Sequence, residues 1–156
     1  MTDDPAKRLD ELDLDPITLP VFGSFEPIVR TGDLLHTMGH WPLDGDQPVT
    51  GRLGDDLDLD GGLRAARLAA LALIGTLADE LGDLSRVMRI ASMLVTINAT
   101  PGFGDHTAVA DAASDLLIDV FGPPGRHARL TVGVASLPGN VALELTAVVE
   151  APVETV

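Results

Sequence analysis

Only two stretches of this chain recur at helical spacing, and that count constrains the fold more than any other feature. The first runs from about Gly61 to Leu81, where Leu63, Ala66, Ala70, Ile74, Leu77 and Leu81 fall on one stripe. Asp60 is the expected N-cap and Gly82 the C′ residue. The second spans about Thr107 to Phe121, with Val109, Ala112, Ala113, Leu116, Leu117, Val120 and Phe121 on one face. Asp105 or His106 precedes it and Gly122-Pro123-Pro124-Gly125 stops it. The other strong segments read as strands. Pro27–Arg30 and Leu34–Met38 flank Thr31-Gly32-Asp33, a hairpin turn. Residues 43–59 form a loop with one short strand near Val49–Arg52, and Val87–Ile97 is a mostly apolar strand. Ala128–Ala135 and Val141–Glu150 are joined by Leu137-Pro138-Gly139-Asn140, which reads as a second hairpin. Two helices cannot sandwich a sheet of this size, but they can cover one face of it. The expected architecture is α+β, a mixed sheet with both helices on one side and the other side in need of a partner.

The last two strands predict what that second side carries. Leu130, Val132 and Val134 share one face with Leu143, Leu145 and Ala147. The opposite faces carry Arg129, Thr131, Gly133 and Ala135, and Ala142, Glu144, Thr146 and Val148. A semi-polar surface of small residues suits packing against another subunit around a cleft, so a small cyclic oligomer is expected.

Length and composition narrow the function. At 156 residues the chain is one ordinary domain. Residues 1–19 read as an acidic leader, either a solvated tail or a clasp on a neighbouring surface, and 20–156 as the domain proper. A net charge of -14 disfavours nucleic-acid and anionic-membrane partners. The absence of cysteine removes disulfides, thiolate catalysis and thiolate metal sites, and the absence of tyrosine removes a phenolic proton donor. No signal peptide is visible, and the apolar run Leu68–Leu77 is too short to span a bilayer, so a cytoplasmic location is expected. His36, His40, His106 and His127 lack metal-ligand spacing. Asp55, Asp56, Asp58 and Asp60 lack the pattern of a calcium loop, and no dinucleotide or triphosphate motif is present. No metal is expected.

Several segments resemble the YjgF/RidA family. They are Val29-Arg30-Thr31-Gly32-Asp33-Leu34-Leu35, Leu81-Gly82-Asp83-Leu84-Ser85-Arg86-Val87 and Ala113-Ser114-Asp115-Leu116-Leu117. The strongest is the run from His127 through Pro138, followed by Val141-Ala142-Leu143-Glu144-Leu145. The wording is that of a divergent branch, and the likeness covers roughly residues 20–150. It implies a chorismate-mutase-like fold, a homotrimer, and ligand clefts between subunits. It also implies hydrolysis of reactive 2-imino or enamino acids to 2-keto acids and ammonia, without metal or organic cofactor. Other members are described as endoribonucleases, translation inhibitors or small-molecule binders.

Candidate site residues follow. Arg129 offers a planar, permanently charged fork for a carboxylate; its structural alternative is an intersubunit ion pair or a solvated strand end. Glu144, a carboxylate inside an apolar strand, suits proton transfer if burial raises its pKa, and the resemblance gives it the task of holding water and protonating the leaving nitrogen. With Leu137 paired to Val141, Glu144 lies opposite Val134 and Arg129 opposite Val149, roughly 17 Å apart along the ribbon. The two can then meet only across a subunit interface. Gly39 permits close backbone approach to a ligand, and His40 is either an acid/base or a hydrogen-bonded surface group. Trp41 is core packing or a pocket wall. By the resemblance, Phe25 stands where deaminase members have a tyrosine, Thr131 where many have a cysteine, and Asp111 near an asparagine. An acid at Asp111 would repel an anionic substrate unless it faces solvent.

The favoured function is therefore a trimeric imine/enamine hydrolase acting on a small carboxylate substrate. The alternative is a module that holds a carboxylate metabolite in the same cleft without turnover. An endoribonuclease is least supported, because of the charge.

Overall fold

The structure, a computed structural model, describes residues 3–155. Met1 and Thr2 of the expected leader, and Val156, lie outside the described residues. The elements in chain order are α1 (Pro5–Glu11), β1 (Ile28–Thr31), β2 (Leu34–Thr37), β3 (Leu43–Asp44), β4 (Gln47–Pro48), α2 (Leu59–Leu81), β5 (Arg89–Asn98), α3 (His106–Phe121), β6 (Ala128–Val134) and β7 (Leu143–Glu150). Five strands form one sheet in the order β1-β2-β7-β5-β6, and β3 with β4 makes a separate small ribbon where a mostly irregular loop was expected. The fold is α+β, as the two helical periodicities predict, with α2 and α3 packed together on one face.

The helices form where expected, with one shift. Asp58 rather than Asp60 caps α2, its carboxylate accepting from the Gly61 N–H at 2.7 Å. Gly82 ends the helix in the left-handed region at φ 71°. At 23 residues α2 is long and apolar enough to cross a membrane on those two criteria, which the broken run Leu68–Leu77 concealed. Its apolar side is used instead in the core: Ala66, Ala70, Ile74 and Leu77 are fully buried. The β1–β2 hairpin turns at Gly32 (φ 59°) and Asp33, with Thr31 opposite Leu34.

The expected hairpin between the last two strands does not exist. β5 lies between them, parallel to β6 and antiparallel to β7. The β5–α3–β6 crossover makes the parallel pair, since a helix must carry the chain back to the start of the neighbouring strand. The connection 135–142, with one 3-10 turn at Pro138–Asn140, then spans β5 rather than closing a tight turn. β5 lies between β7 and β6 and presents an apolar row to the helices: Ile90, Val95 and Ile97 are fully buried.

This topology reverses the expected facing of β6. Arg129 lies beside Met93 and Leu130 beside Leu94. Met93 is 2% exposed under the helices, whereas Leu130, on the open face, is 62% exposed. Arg129, Thr131 and Gly133 thus share the helix side with Leu143, Leu145 and Ala147, while Leu130, Val132 and Val134 join Glu144, Thr146 and Val148 on the open side.

The leader is a clasp, not a solvated tail. Leu9 and Leu19 are buried, and the Arg8 guanidinium donates to the Val120 carbonyl. The Ile17 N–H donates to the Leu71 carbonyl at 3.1 Å where the arm crosses α2. Gly75 permits that crossing, because a methyl group there would fall on the Ile17 carbonyl.

Candidate active site

A cleft of about 710 Å³ opens on the bare side of the sheet beside β1, β2 and β7. Its walls are mainly apolar: Phe22, Phe25, Met38, Trp41 and Val141 contribute, together with Pro20, Pro48 and Pro138. Glu144 projects into it from β7. Burial pushes the Glu144 carboxyl above the ordinary glutamate range. No hydrogen bond or ion pair to it is made among the described residues. Gly39 forms the facing wall so closely that a Cβ there would lie 3.0 Å from Glu144 Oε2. Glu26 and His36 also reach the lining.

Two buried polar contacts hold this wall. His40, fully buried, shares a 2.8 Å hydrogen bond between Nε2 and Thr76 Oγ1 of α2, and its backbone pairs with Leu145 in both directions. Burial outweighs its backbone contacts and holds the ring's pKa down to about 4. Asn98, also fully buried, donates from Nδ2 to Asn140 Oδ1 at 3.0 Å and to the Val141 carbonyl at 3.3 Å, which fixes the turn at the rim.

Arg129 lies elsewhere, on the helix side of the edge strand β6. Its Nη1 donates to Asp111 Oδ1 and to Ser114 Oγ on α3, both at 2.9 Å. Ser114 Oγ is 2.9 Å from His127 Nε2, and His127 Nδ1 is 2.7 Å from the Gly125 carbonyl. A carbonyl only accepts, so Nδ1 carries the proton, and Nε2 of the neutral ring accepts from Ser114. Burial first, and the Arg129 charge after it, lower the His127 pKa and favour that neutral form, against the raising effect of the Gly125 carbonyl.

A family model described as YjgF/chorismate mutase-like, putative endoribonuclease, matches residues 9–149. The chain belongs to the YjgF/RidA family. Among curated relatives of the family, Protein TCP17 of Trypanosoma cruzi is 44% identical over 124 residues, which are 78% of each chain. The crystal structure of Atu1372 from Agrobacterium tumefaciens superposes with a TM-score of 0.88 at 37% identity, over 97% of this chain and 95% of that one. That of a putative endoribonuclease from Shewanella oneidensis gives 0.91 at 32% identity, over 94% and 99%.

Within this YjgF/RidA frame the candidate residues fall into two groups. Phe25, Gly39, Trp41 and Glu144 line the cleft on the open face. Arg129, Asp111 and Thr131 cluster on the helix side at β6, with the Thr131 hydroxyl buried and unpartnered among the described residues. His40 belongs to neither; its ring is withdrawn into the core and cannot act on a ligand. Its position directly after Gly39 suggested the cleft, but the strand turns it inward against Thr76.

Arg129 and Glu144 do not share a face, contrary to the sequence expectation. Through β5 the Arg129 row runs Met93–Ala147 and the Glu144 row runs Thr96–Val132. They are three residues and two strands apart, roughly 14 Å at ordinary strand spacings, and the odd offset places them on opposite sides. The supporting groups Thr76, Asn98, Ser114 and His127 were not assigned roles from sequence. Ser114 and His127 sit inside family-like segments, which was the one available signal.

Proposed function

We propose that the protein hydrolyses reactive 2-imino and enamino acids to 2-keto acids and ammonia, in a cleft completed between subunits of a homotrimer. The observation that carries this reading is the half-buried, unpartnered Glu144 carboxylate against the Gly39 backbone in an apolar cleft. A carboxyl group whose pKa burial raises is better matched to taking up and returning a proton during the reaction. Water adds to the imine carbon and passes one proton to Glu144. The same carboxyl returns it to the nitrogen of the protonated-imine adduct, then takes up the hydroxyl proton as the C–N bond breaks, so that the carbonyl forms, ammonia leaves and the carboxyl gives its proton to water. Arg129 of a neighbouring subunit supplies the fork for the substrate carboxylate, because within one chain it faces the other side of the sheet. The exposed Leu94 and Leu130 on the open face favour such an assembly, since exposed apolar rows are removed from water by it.

A second reading, binding of a carboxylate metabolite without turnover, is favoured by Phe25 at the cleft mouth, where a ring without a hydroxyl cannot position water. RNA cleavage, named in the family description, fits less well with two acids in the cleft, Glu26 and Glu144, and a net charge of -14. No nucleic-acid or membrane partner is proposed.

Mixing two inactive variants tests the shared cleft. Arg129→Ala and Glu144→Gln, each without 2-imino acid hydrolysis, should regain part of the activity when unfolded and refolded together, because some interfaces then pair an intact Arg129 with an intact Glu144. No recovery from mixed trimers rejects the intersubunit arrangement. Ligand binding by the wild type without any ammonia release selects the second reading.

A further inference from the structure

Among the described residues only one nitrogen of the Arg129 guanidinium is engaged. Both of its hydrogen bonds leave from Nη1, to Asp111 and to Ser114, while Nε and Nη2 have no partner among the described residues. The Nε–Nη2 edge is one of the two forks by which a guanidinium holds a carboxylate. Ser114, itself tied to His127, prevents the group from turning that edge away. Asp111 is more than half exposed, and only its Oδ1 is bound. A carboxylate seated on the open fork is therefore flanked by a fixed negative charge, and the two repel unless the ligand brings a compensating positive group to Asp111.

We propose that Asp111 is a specificity-determining residue, which makes this site select ligands whose carboxylate adjoins a protonated nitrogen, ammonium or iminium, over the 2-keto acid of the same skeleton. The inference rests on the reading above, in which Arg129 receives the carboxylate. It also gives turnover a direction. Hydrolysis replaces a cationic nitrogen by a neutral carbonyl oxygen, so the product loses its contact with Asp111 and keeps the repulsion. A substrate is held and its product is released by the same acid. A neutral amide at this position would make no such distinction.

Calorimetric titration of the full-length chain with 2-aminobutyrate and 2-oxobutyrate, equal in carbon skeleton, tests it. The wild type should prefer the amino acid by about tenfold, the weight of one charge-assisted hydrogen bond. Asp111→Asn should bring the two within about twofold, Asp111→Glu should keep the preference, and Arg129→Ala should lose both ligands. Equal affinities in the wild type, or a preference that survives Asp111→Asn, overturn the role of Asp111 while the loss in Arg129→Ala leaves the carboxylate site standing. If neither ligand binds the wild type, or Arg129→Ala binds both unchanged, the site reading and the inference fall together.

Discussion

Glu144 and Gly39 face each other across the floor of the cleft, with the carboxylate so close to the glycine that a single methyl group would press on Oε2. The contact fixes where the acid can point. Its backbone is fixed too, since the neighbouring strand's Thr96 hydroxyl donates to the Glu144 carbonyl.

Gly39→Ala is expected to displace the Glu144 side chain rather than the strand, because the crowded atom is the far end of a flexible group. Thermal stability should change by less than about 1 kcal/mol, while imine hydrolysis falls by about tenfold or more, as a misplaced proton donor implies. Parallel melting and ammonia-release assays read the two effects. A variant with full activity would show that the acid need not sit against this wall.

The raised Glu144 pKa has a stability consequence of definite sign. The folded chain binds this proton more tightly than the unfolded one, so the group lowers stability as pH rises from its ordinary range, about 4.3, through the folded value. Glu144→Gln should therefore be more stable than the wild type at pH 8, and the advantage should vanish near pH 4. Denaturant midpoints across that range provide the check, and a constant difference would contradict it.

His40 acts in the opposite sense. Its folded pKa of about 4 lies below the ordinary histidine value of 6.5, so the unfolded chain takes up the proton first. Stability is full above about pH 6.5 and declines as pH falls toward 4, by a total on the order of 3 kcal/mol. His40→Gln should flatten that slope even though it changes the absolute stability. Denaturation at closely spaced pH values measures the slope directly.

Gly75→Ala would drive a methyl group into the Ile17 carbonyl, backbone against helix, with no flexible side chain to yield. The expected outcome is release of the arm over residues 12–20 at about 1–3 kcal/mol, the usual range for overpacking. Limited proteolysis should then cut within that arm while the sheet remains protected.

Much of the frame was legible because periodicity and punctuation agreed. The α2 stripe ended at Gly82, the α3 stripe ended at Gly122, and Gly32-Asp33 separated two strands. The pairing partner of β6 was not legible. Leu137-Pro138-Gly139-Asn140 carries the residues of a tight turn, and only the position of β5 reveals that the chain crosses a strand there. The facing of β6 failed with it, since Leu130, Val132 and Val134 look like a core row when the second sheet surface is assumed to be wet. The cleft residues Phe25, Gly39 and Glu144 converge although they are far apart in sequence, whereas His40 was misplaced because adjacency along a strand says nothing about which side a ring takes.

β7 is the one strand that joins the β1–β2 ribbon to the β5–β6 pair. During synthesis the first hairpin must wait, half-assembled, until the last strand has left the ribosome, since nothing made earlier offers it a hydrogen-bonding edge. A chain cut short of residue 143 would hold two unjoined pieces of sheet and no floor beneath the Trp41 wall, so a premature stop even near the end should yield aggregation-prone material rather than a slightly smaller protein.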